Sequence, residues 1–469
     1  MYLYWRIFLA LNIQILKRPE ILGSLALFVV LILVYFFSID IRATRGASIT
    51  ADEPFYLITT QSLIQDSNID LRAQYQDHSY RSFFDHPDGL WTQSVPLEDG
   101  RLVSPHNIGL TILLIPGFLM GGLIGTQIQM VLLSASTWVL SYLLTLKLMP
   151  LKPLFVWLVT IIIALSASAF IYSSEIYPEI PAAFFLVLSL LLLVKSDRVH
   201  FIRSLTILIC ISTLPWLAVK YVPLAALVGL YTLWKSTSIA RILLIVVGLL
   251  FAFAYILFHL AAYDSLTPYY VNLVYAGDST VSIVERHVNF FDRFYRLWGL
   301  FIDRHFGIAR WAPILLFVIP GLALTIRGNA LHRLVFSLII MQILMATFVA
   351  ITMMGWWFSG RTLMTIFPLL TIPLSFFVIN FYSRFRLPLI ISGTYSVLIT
   401  VALAIAGHRR EIVIAVDPFE MSSPVIQFTN NLFPLYTSWN AMTWFLTLIW
   451  IVLGTLVILI TFRSKTILN

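Results

Sequence analysis

Long apolar runs separated by short polar connections dominate the sequence from end to end. A membrane-spanning helix needs about 20 mostly apolar residues, and runs close to that length recur throughout. The predicted spans lie near residues 21–41, 127–146, 153–171, 180–194, 203–219, 222–234, 242–262, 311–326, 334–354, 362–380, 387–406 and 439–462. The pattern therefore predicts an all-α polytopic membrane protein with about 12 transmembrane helices.

One further run, residues 108–125, is apolar enough to span, and counting it would reverse the orientation of every later helix. Charge decides between the two arrangements, because Lys and Arg collect in the short cytoplasmic connections. With twelve spans, the short outer turns hold only Lys220 and Arg361, whereas each short inner connection holds at least two basic residues. We therefore predict twelve spans, both termini in the cytoplasm, and 108–125 as a juxtamembrane or re-entrant helix on the outer side.

The twelve spans form one transmembrane domain, residues 1–469, with no separate soluble domain. Its three large outer segments are 42–126, 263–310 and 407–438. Three glycines spaced four apart in the re-entrant segment would allow close approach to a neighbouring helix; they are Gly117, Gly121 and Gly125.

Composition excludes several function classes. Of the 469 residues, 59% are hydrophobic and 11% are charged, with a mean hydropathy of +0.91; a soluble domain carries about 25% charged residues. A cytosolic enzyme is excluded, and so is a nucleic-acid partner despite the net charge of +8. The single cysteine, Cys210, excludes an intramolecular disulfide and a cysteine zinc site.

The distribution of polar residues directs attention to the outer surface. Ionisable residues are rare inside the spans, where an ion or proton pathway would need them. No repeat relates the two halves of the chain, whereas transporter folds are usually built on internal repeats. Residues 283–302 carry aromatic side chains at helical spacing together with arginines. They indicate an interfacial helix that anchors in lipid headgroups or, alternatively, admits a lipid substrate.

An acidic pair opens the first outer segment. Asp52 and Glu53 precede Pro54 shortly beyond the first span, and Tyr56 follows. One interpretation is structural, since Thr50 or Asp52 can cap a helix and Pro54 suits its first turn. The other is catalytic, because a carboxylate at the membrane surface can act as a general base toward a hydroxyl group.

A second acidic pair, Glu175 and Glu179, lies in the sequence EIYPEIP at the outer end of the third span. These acids fit a solvated turn or the wall of a polar cavity. Lys220 and Arg361 each interrupt a nearly apolar stretch on the outer side. Each is either a snorkelling anchor or part of a phosphate-binding site. The neighbouring Trp356-Trp357 pair fits an interfacial belt or a surface on which a sugar stacks.

His106, in the sequence SPHN, is a candidate for contact with a metal ion or a substrate, the alternative being a local structural role. The sequence has no P-loop, no HExxH and no GxSxG motif. It therefore provides no support for an ATP or nucleotide-sugar site.

Five stretches together resemble the GT-C membrane glycosyltransferases, which include the protein O-mannosyltransferases and the aminoarabinose transferases that modify lipid A. They are ADEPFYLITTQSLIQDSNIDL, SPHNIGLTILLIPGFLMGG, EIYPEIPAA, FGIARWAPILLFVIPGL and GWWFSGRTLMTIFPLL. Their order, and the position of the acidic motif after one span, carry the resemblance. The sequence predicts no counterpart of the large soluble C-terminal domain that some members carry.

The resemblance implies a sugar donor carried on a polyprenyl phosphate and presented from the outer leaflet. Asp52 would be the base that activates the acceptor, with Glu53 as the second candidate. The acids of the EIYPEIP turn would line the same cavity, and Arg361 or Lys220 would hold the donor phosphate. The candidates for substrate binding are Tyr56, His106, Glu175, Glu179, Lys220 and Arg361. Some members bind a divalent metal ion and others need none.

The predicted function is therefore sugar transfer from a polyprenyl phosphate to a hydroxyl group of a glycan, lipid or protein. The reaction would occur on the outer face of a multi-pass protein in a bacterial inner membrane, in contact with membrane lipids. The main alternative is a transporter or flippase for a lipid-linked sugar. A structural membrane protein is a third possibility, although it would not require nine acids in its first outer loop.

Overall fold

The computed structural model describes residues 19–194, 201–271, 290–415 and 421–463, apart from 351, 354, 356 and 422. Throughout these residues the regular structure is helical. The α-helices are α1 (Pro19–Tyr35), α2 (Glu53–Gln65), α3 (Arg72–Gln76), α4 (Ile108–Leu148), α5 (Pro153–Ala164), α6 (Ala167–Ile171), α7 (Glu179–Leu193), α8 (Phe201–Leu217), α9 (Val222–Lys235), α10 (Ser238–Tyr263), α11 (Phe290–Arg293), α12 (Arg296–Ile302), α13 (Val318–Thr325), α14 (Ala330–Phe348), α15 (Thr371–His408), α16 (Pro424–Asn430) and α17 (Ala441–Arg463). Short 3-10 helices are Phe36–Ser38, Ser79–Ser82, Val219–Tyr221, Pro313–Phe317 and Arg361–Leu370.

The predicted all-α membrane fold is confirmed, and each predicted span coincides with a helix or a helix pair. Within the described residues, six helices are long and apolar enough to cross a membrane. They are Pro19–Ser38, Ile108–Leu148, Ser238–Tyr263, Ala330–Phe348, Arg361–His408 and Ala441–Arg463. Shorter apolar helices correspond to the other predicted spans, so the exact number of twelve stays a prediction.

The apolar run 108–125 does not continue straight into the next predicted span. Helix α4 breaks at Gly121 and Gly122, whose backbone angles are not helical, and its first part folds back on its second. The Gln129 side chain joins the two parts, donating to the Leu113 carbonyl at 2.6 Å and accepting from the backbone N–H of Gly117 at 2.8 Å. This is the hairpin expected of a re-entrant segment.

Close backbone approach in this hairpin depends on glycine at two of the three predicted positions, Gly117 and Gly125, which contact each other rather than a separate helix. A Cβ atom at Gly121 would meet open space. A Cβ atom added to Gly125 would collide with the carbonyl oxygen of Gly117. Helix α15 has a similar break at Phe385. That break lies between two basic residues and divides α15 into parts that correspond to two predicted spans.

The helices that support the site meet at the N-terminal end of α7. Helix α7 packs against α4, α8 and the 3-10 helix Arg361–Leu370, whose ten residues are all buried. Runs of 3-10 helix longer than three or four residues are uncommon. This one begins directly after Gly360, whose φ of 89° is readily adopted only by glycine. The turn at Gly360 therefore aims Arg361 into the protein.

The predicted interfacial helix 283–302 is described only from residue 290. From there the chain forms α11 and α12, and Phe290, Phe291 and Phe294 are exposed. Exposed aromatic side chains of this kind suit contact with lipid headgroups. Residues 283–289 and the inner connection around Asp197 lie outside the described residues.

Candidate active site

Four charged residues from distant parts of the chain form one network. Asp52 Oδ2 accepts a hydrogen bond from an Arg361 guanidinium nitrogen at 2.5 Å, and Glu179 Oε1 accepts one from Lys220 Nζ at 2.7 Å. Glu179 Oε1 also lies 3.4 Å from Arg361 Nε, so it links the two ion pairs. The network combines one acid from each acidic motif with the two isolated cations, Lys220 and Arg361.

The local fold shows which interpretation holds for Asp52. Asp52 occupies the N-cap position of α2, yet its side chain makes no capping hydrogen bond. The carboxylate is directed to Arg361 instead, and the side chain keeps 23% of its exposure. The capping interpretation is therefore wrong for Asp52, because tertiary pairing with a guanidinium replaces the local contact.

Arg361 is a buried component of this network. Its side chain is 7% exposed, and its guanidinium lies 3.8 Å from the ring centroid of Tyr177 and 4.7 Å from that of Trp357. An arginine between two aromatic rings gains a cation–π interaction on each face. The snorkelling interpretation is wrong for Arg361, because a snorkelling head group would lie in solvent.

Lys220 follows α8 in the 3-10 helix Val219–Tyr221. Its ammonium group contacts Glu179, which is 1% exposed. Since the ammonium group is directed inward to a buried carboxylate, the snorkelling interpretation is wrong for Lys220 too. Glu179 lies behind the two cations, at the first residue of α7.

His106 and Tyr56 complete the surroundings of Asp52. His106 Nε2 lies 2.9 Å from Gln93 Oε1 and 3.9 Å from Asp52 Oδ1. Its ring is 4.8 Å from that of Tyr56, centroid to centroid. Tyr56 lies one helical turn after Asp52 in the chain, so α2 places both side chains on the same face. Gln93 was not anticipated, since nothing in its sequence neighbourhood marks it.

The charges around Asp52 determine its protonation state. Burial alone would raise the pKa of Asp52, but the charges of Arg361, His106 and Lys220 and the hydrogen bond from Arg361 together lower it to about 2. Burial lowers the pKa of His106, although the Asp52 charge opposes this effect. At neutral pH the site therefore contains an ionised Asp52 beside an uncharged imidazole.

A cavity of about 690 Å³ opens onto this network. Most of its remaining wall is apolar and comes from α9, α14 and the segments that flank α8 and α10. Ligand cavities commonly have such walls, with a few polar groups placed to orient the bound molecule. The predicted site residues that line it are Asp52, Tyr56, His106, Lys220 and Arg361.

The other two predicted acids lie elsewhere. Glu53 is 2% exposed and accepts hydrogen bonds from the backbone N–H groups of Thr50 at 2.9 Å and Ile176 at 3.0 Å. Together with Glu175 it lines a separate pocket of about 20 Å³. Glu175 therefore does not line the large cavity as expected, and neither does Glu179, which lies behind the two cations. Glu53 is directed away from the large cavity because neighbouring residues at the start of a helix project in different directions. Asp52 lines the large cavity, whereas Glu53 faces the turn that carries Glu175.

Burial raises the pKa of Glu53 to about 7, despite the two backbone hydrogen bonds. Burial also raises the pKa of Glu175, and the charge of Glu53 adds to the effect. These two carboxyl groups are therefore linked in their protonation. Their position indicates a structural role for Glu53, as the residue that connects the start of α2 to the EIYPEIP turn.

Metal binding by this network was left open by the sequence. Among the described residues, no group of three or more His, Cys, Asp or Glu is arranged to hold a metal ion. The acids of the network are engaged with Arg361 and Lys220, and His106 contacts Gln93.

Comparison with known proteins returns a structural similarity alone. No family model matches the chain, and no curated protein matches it. A similar solved structure is the crystal structure of ArnT from Cupriavidus metallidurans bound to undecaprenyl phosphate. The similarity covers 94% of this chain and 77% of that chain, with 11% sequence identity and a TM-score of 0.41.

Proposed function

We propose that this protein is a membrane glycosyltransferase that moves a sugar from a polyprenyl phosphate to an acceptor hydroxyl group. One observation carries the proposal: the cavity places a carboxylate, Asp52, beside the two cations Arg361 and Lys220 under mostly apolar walls. Cations suit a phosphate group, the carboxylate suits a hydroxyl proton, and apolar walls suit a lipid-linked substrate.

The reaction needs no external energy source. A sugar phosphodiester is already activated, because its leaving group is a stable phosphate monoester. The acceptor oxygen forms a bond to the anomeric carbon while the bond from that carbon to the phosphate oxygen breaks. The hydroxyl proton passes to Asp52, and the electron pair of the broken bond remains on the polyprenyl phosphate, whose added negative charge faces Arg361 and Lys220.

Each residue has a distinct part in this scheme. Asp52 is the general base, and the two cations stabilise the departing phosphate. Arg361 can present two N–H groups to two phosphate oxygens, which an ammonium group cannot do. Tyr56 and His106 line the wall next to Asp52, where they contact the sugar or the acceptor. Attack from the side opposite the phosphate inverts the anomeric configuration.

The proposed location is the outer face of a bacterial inner membrane. The charge asymmetry of the short connections supports it, because it assigns the segments carrying Asp52, Lys220 and Arg361 to the outer side. The acceptor is a glycan, a lipid or a protein that presents a hydroxyl group at that face.

The test is a transfer assay with the purified full-length protein in lipid. A panel of polyprenyl-phosphate sugars labelled in the sugar is supplied with candidate acceptors, and the products are separated by thin-layer chromatography. The proposal predicts release of polyprenyl phosphate and appearance of the label on an acceptor. Movement of intact donor between leaflets with no release of sugar from any donor would instead support a flippase.

A further inference from the structure

Both cations that line the cavity within the described part of the chain, Lys220 and Arg361, are ion-paired. Arg361 is paired with Asp52, and Lys220 is paired with Glu179. With His106 uncharged, the four groups sum to zero. An added phosphate would leave one uncompensated negative charge in a mostly apolar cavity, where charges that lack a partner are costly. A phosphate bound by Arg361 or Lys220 therefore competes with one of the two carboxylates for the charge of that cation.

The two carboxylates differ in how readily they can be displaced. Glu179 is 1% exposed and lies behind both cations, beyond the reach of a ligand in the cavity. Asp52 keeps 23% of its side-chain exposure and forms part of the cavity wall. A released Asp52 carboxylate would turn toward the open cavity, whereas a released Glu179 carboxylate would be left buried.

We propose that the donor phosphate replaces the Asp52 carboxylate on Arg361, so that binding of the donor releases the catalytic base. This inference rests on the proposed function. While Asp52 Oδ2 accepts a hydrogen bond from Arg361, the adjacent positive charge makes the carboxylate a poor acceptor for a hydroxyl proton. The exchange makes it available only when a sugar phosphate is in place.

Glu179 has a positioning role in this exchange. Its Oε1 atom contacts Lys220 at 2.7 Å and lies 3.4 Å from Arg361 Nε. It can therefore keep both cations in position while Asp52 leaves. The rings of Tyr177 and Trp357 on the guanidinium hold its plane during the exchange.

The direct test is binding of a lipid that cannot react. The probe is a short-chain polyprenyl methyl phosphate, a diester with one negative charge and no sugar, titrated calorimetrically into the full-length protein. If Asp52 competes with phosphate for Arg361, Asp52→Asn should bind the probe about tenfold more tightly than wild type, because no carboxylate has to be displaced. Asp52→Ser should show the same direction. The matched control is Asp99→Asn, which removes a carboxylate from a surface pair with Arg101 at 2.5 Å and should leave affinity unchanged.

Equal or weaker binding by folded Asp52→Asn and Asp52→Ser would overturn the inference while leaving the proposed function intact. Failure of the wild-type protein to bind the probe would instead contradict the proposed function. A second measurement needs no variant. Infrared difference spectra of the wild-type protein on addition of the probe should show a carboxylate band shift, as Asp52 loses its guanidinium partner. An unchanged carboxylate region at saturation would also overturn the inference.

Discussion

Replacing Arg361 by alanine should destabilise the protein, and the structure gives the size of the effect. Removing one partner of a buried ion pair costs about 3–5 kcal/mol, because the other charge is left without compensation. Asp52 is 23% exposed, which favours the lower end of that range. Loss of the two cation–π contacts adds about 1–2 kcal/mol. Arg361→Ala should therefore lose about 4–5 kcal/mol of stability.

The same reasoning predicts that a second substitution restores part of this loss. Asp52→Asn removes the orphaned charge, so the double variant should be more stable than Arg361→Ala alone by about 1.5 kcal/mol or more, within the range measured for close charge pairs. Thermal unfolding can be followed with a thiol-reactive dye, because the single cysteine, Cys210, is 5% exposed. The surface variant Arg409→Ala, from a pair at 3.8 Å with both partners exposed, should change stability by less than about 1 kcal/mol.

Activity adds an independent measurement for the same residue. Arg361→Ala should raise the donor KM sharply, and Arg361→Lys should restore only part of the affinity, because lysine cannot bind two phosphate oxygens at once. A double variant no more stable than the single variant would refute the ion-pair argument. Full activity of Arg361→Ala would refute the phosphate-binding role and transfer it to Lys220.

Three further predictions concern the protein around the site. The pKa of Glu53 in the folded protein, about 7, exceeds its ordinary value of 4.5. The protonated Glu53 side chain therefore contributes fully to stability below pH 4.5, and this contribution is lost as the pH rises through about 7. Glu53→Gln should therefore weaken the pH dependence of the thermal unfolding midpoint over that range. An unchanged pH dependence would contradict the raised pKa of Glu53. Gly125→Ala should lower the thermal unfolding midpoint, because the added methyl group collides with Gly117 in the hairpin. Gly454→Ala, where the added methyl group meets open space, should not lower it. Equal midpoints for the two variants would contradict the close contact between Gly117 and Gly125. In a background without the native cysteine, an impermeant thiol reagent should label a cysteine at Glu98, an exposed residue close to Ser94, from outside and one at Asp197 only from the cytoplasmic side. Labelling of both from one side would contradict the twelve-span topology.

The helical architecture was predictable because it depends on local properties of the chain. The length of an apolar run and the side on which basic residues collect can be counted directly, and the predicted spans coincide with helices. The glycines of the re-entrant segment indicated close packing, but the partner that they contact, the second part of α4 itself, was not predicted. How many of these helices cross the membrane depends on the surrounding lipid, which the length of a helix does not specify.

The membership of the site was predictable in part, but the pairing within it was not. Acids and cations that interrupt apolar stretches identified Asp52, Glu179, Lys220 and Arg361. Asp52 and Arg361 are 309 positions apart, so only the tertiary fold brings them together. The difference between Asp52 and Glu53 depends on the backbone N–H of Ile176, which binds Glu53 at 3.0 Å. No pattern in the sequence around the acidic pair contains that information.

The most direct test of the central claim is the rate of sugar transfer by Asp52→Asn under single-turnover conditions with saturating donor. Asparagine keeps the shape of aspartate but cannot accept a proton at neutral pH. The account predicts a protein that folds, binds donor and transfers sugar about a hundredfold more slowly or worse, within the range for loss of a general base. Folded Asp52→Asn protein that transfers sugar at nearly the wild-type rate would contradict it, and loss of transfer only in folded Glu53→Gln would move the base one residue along the chain.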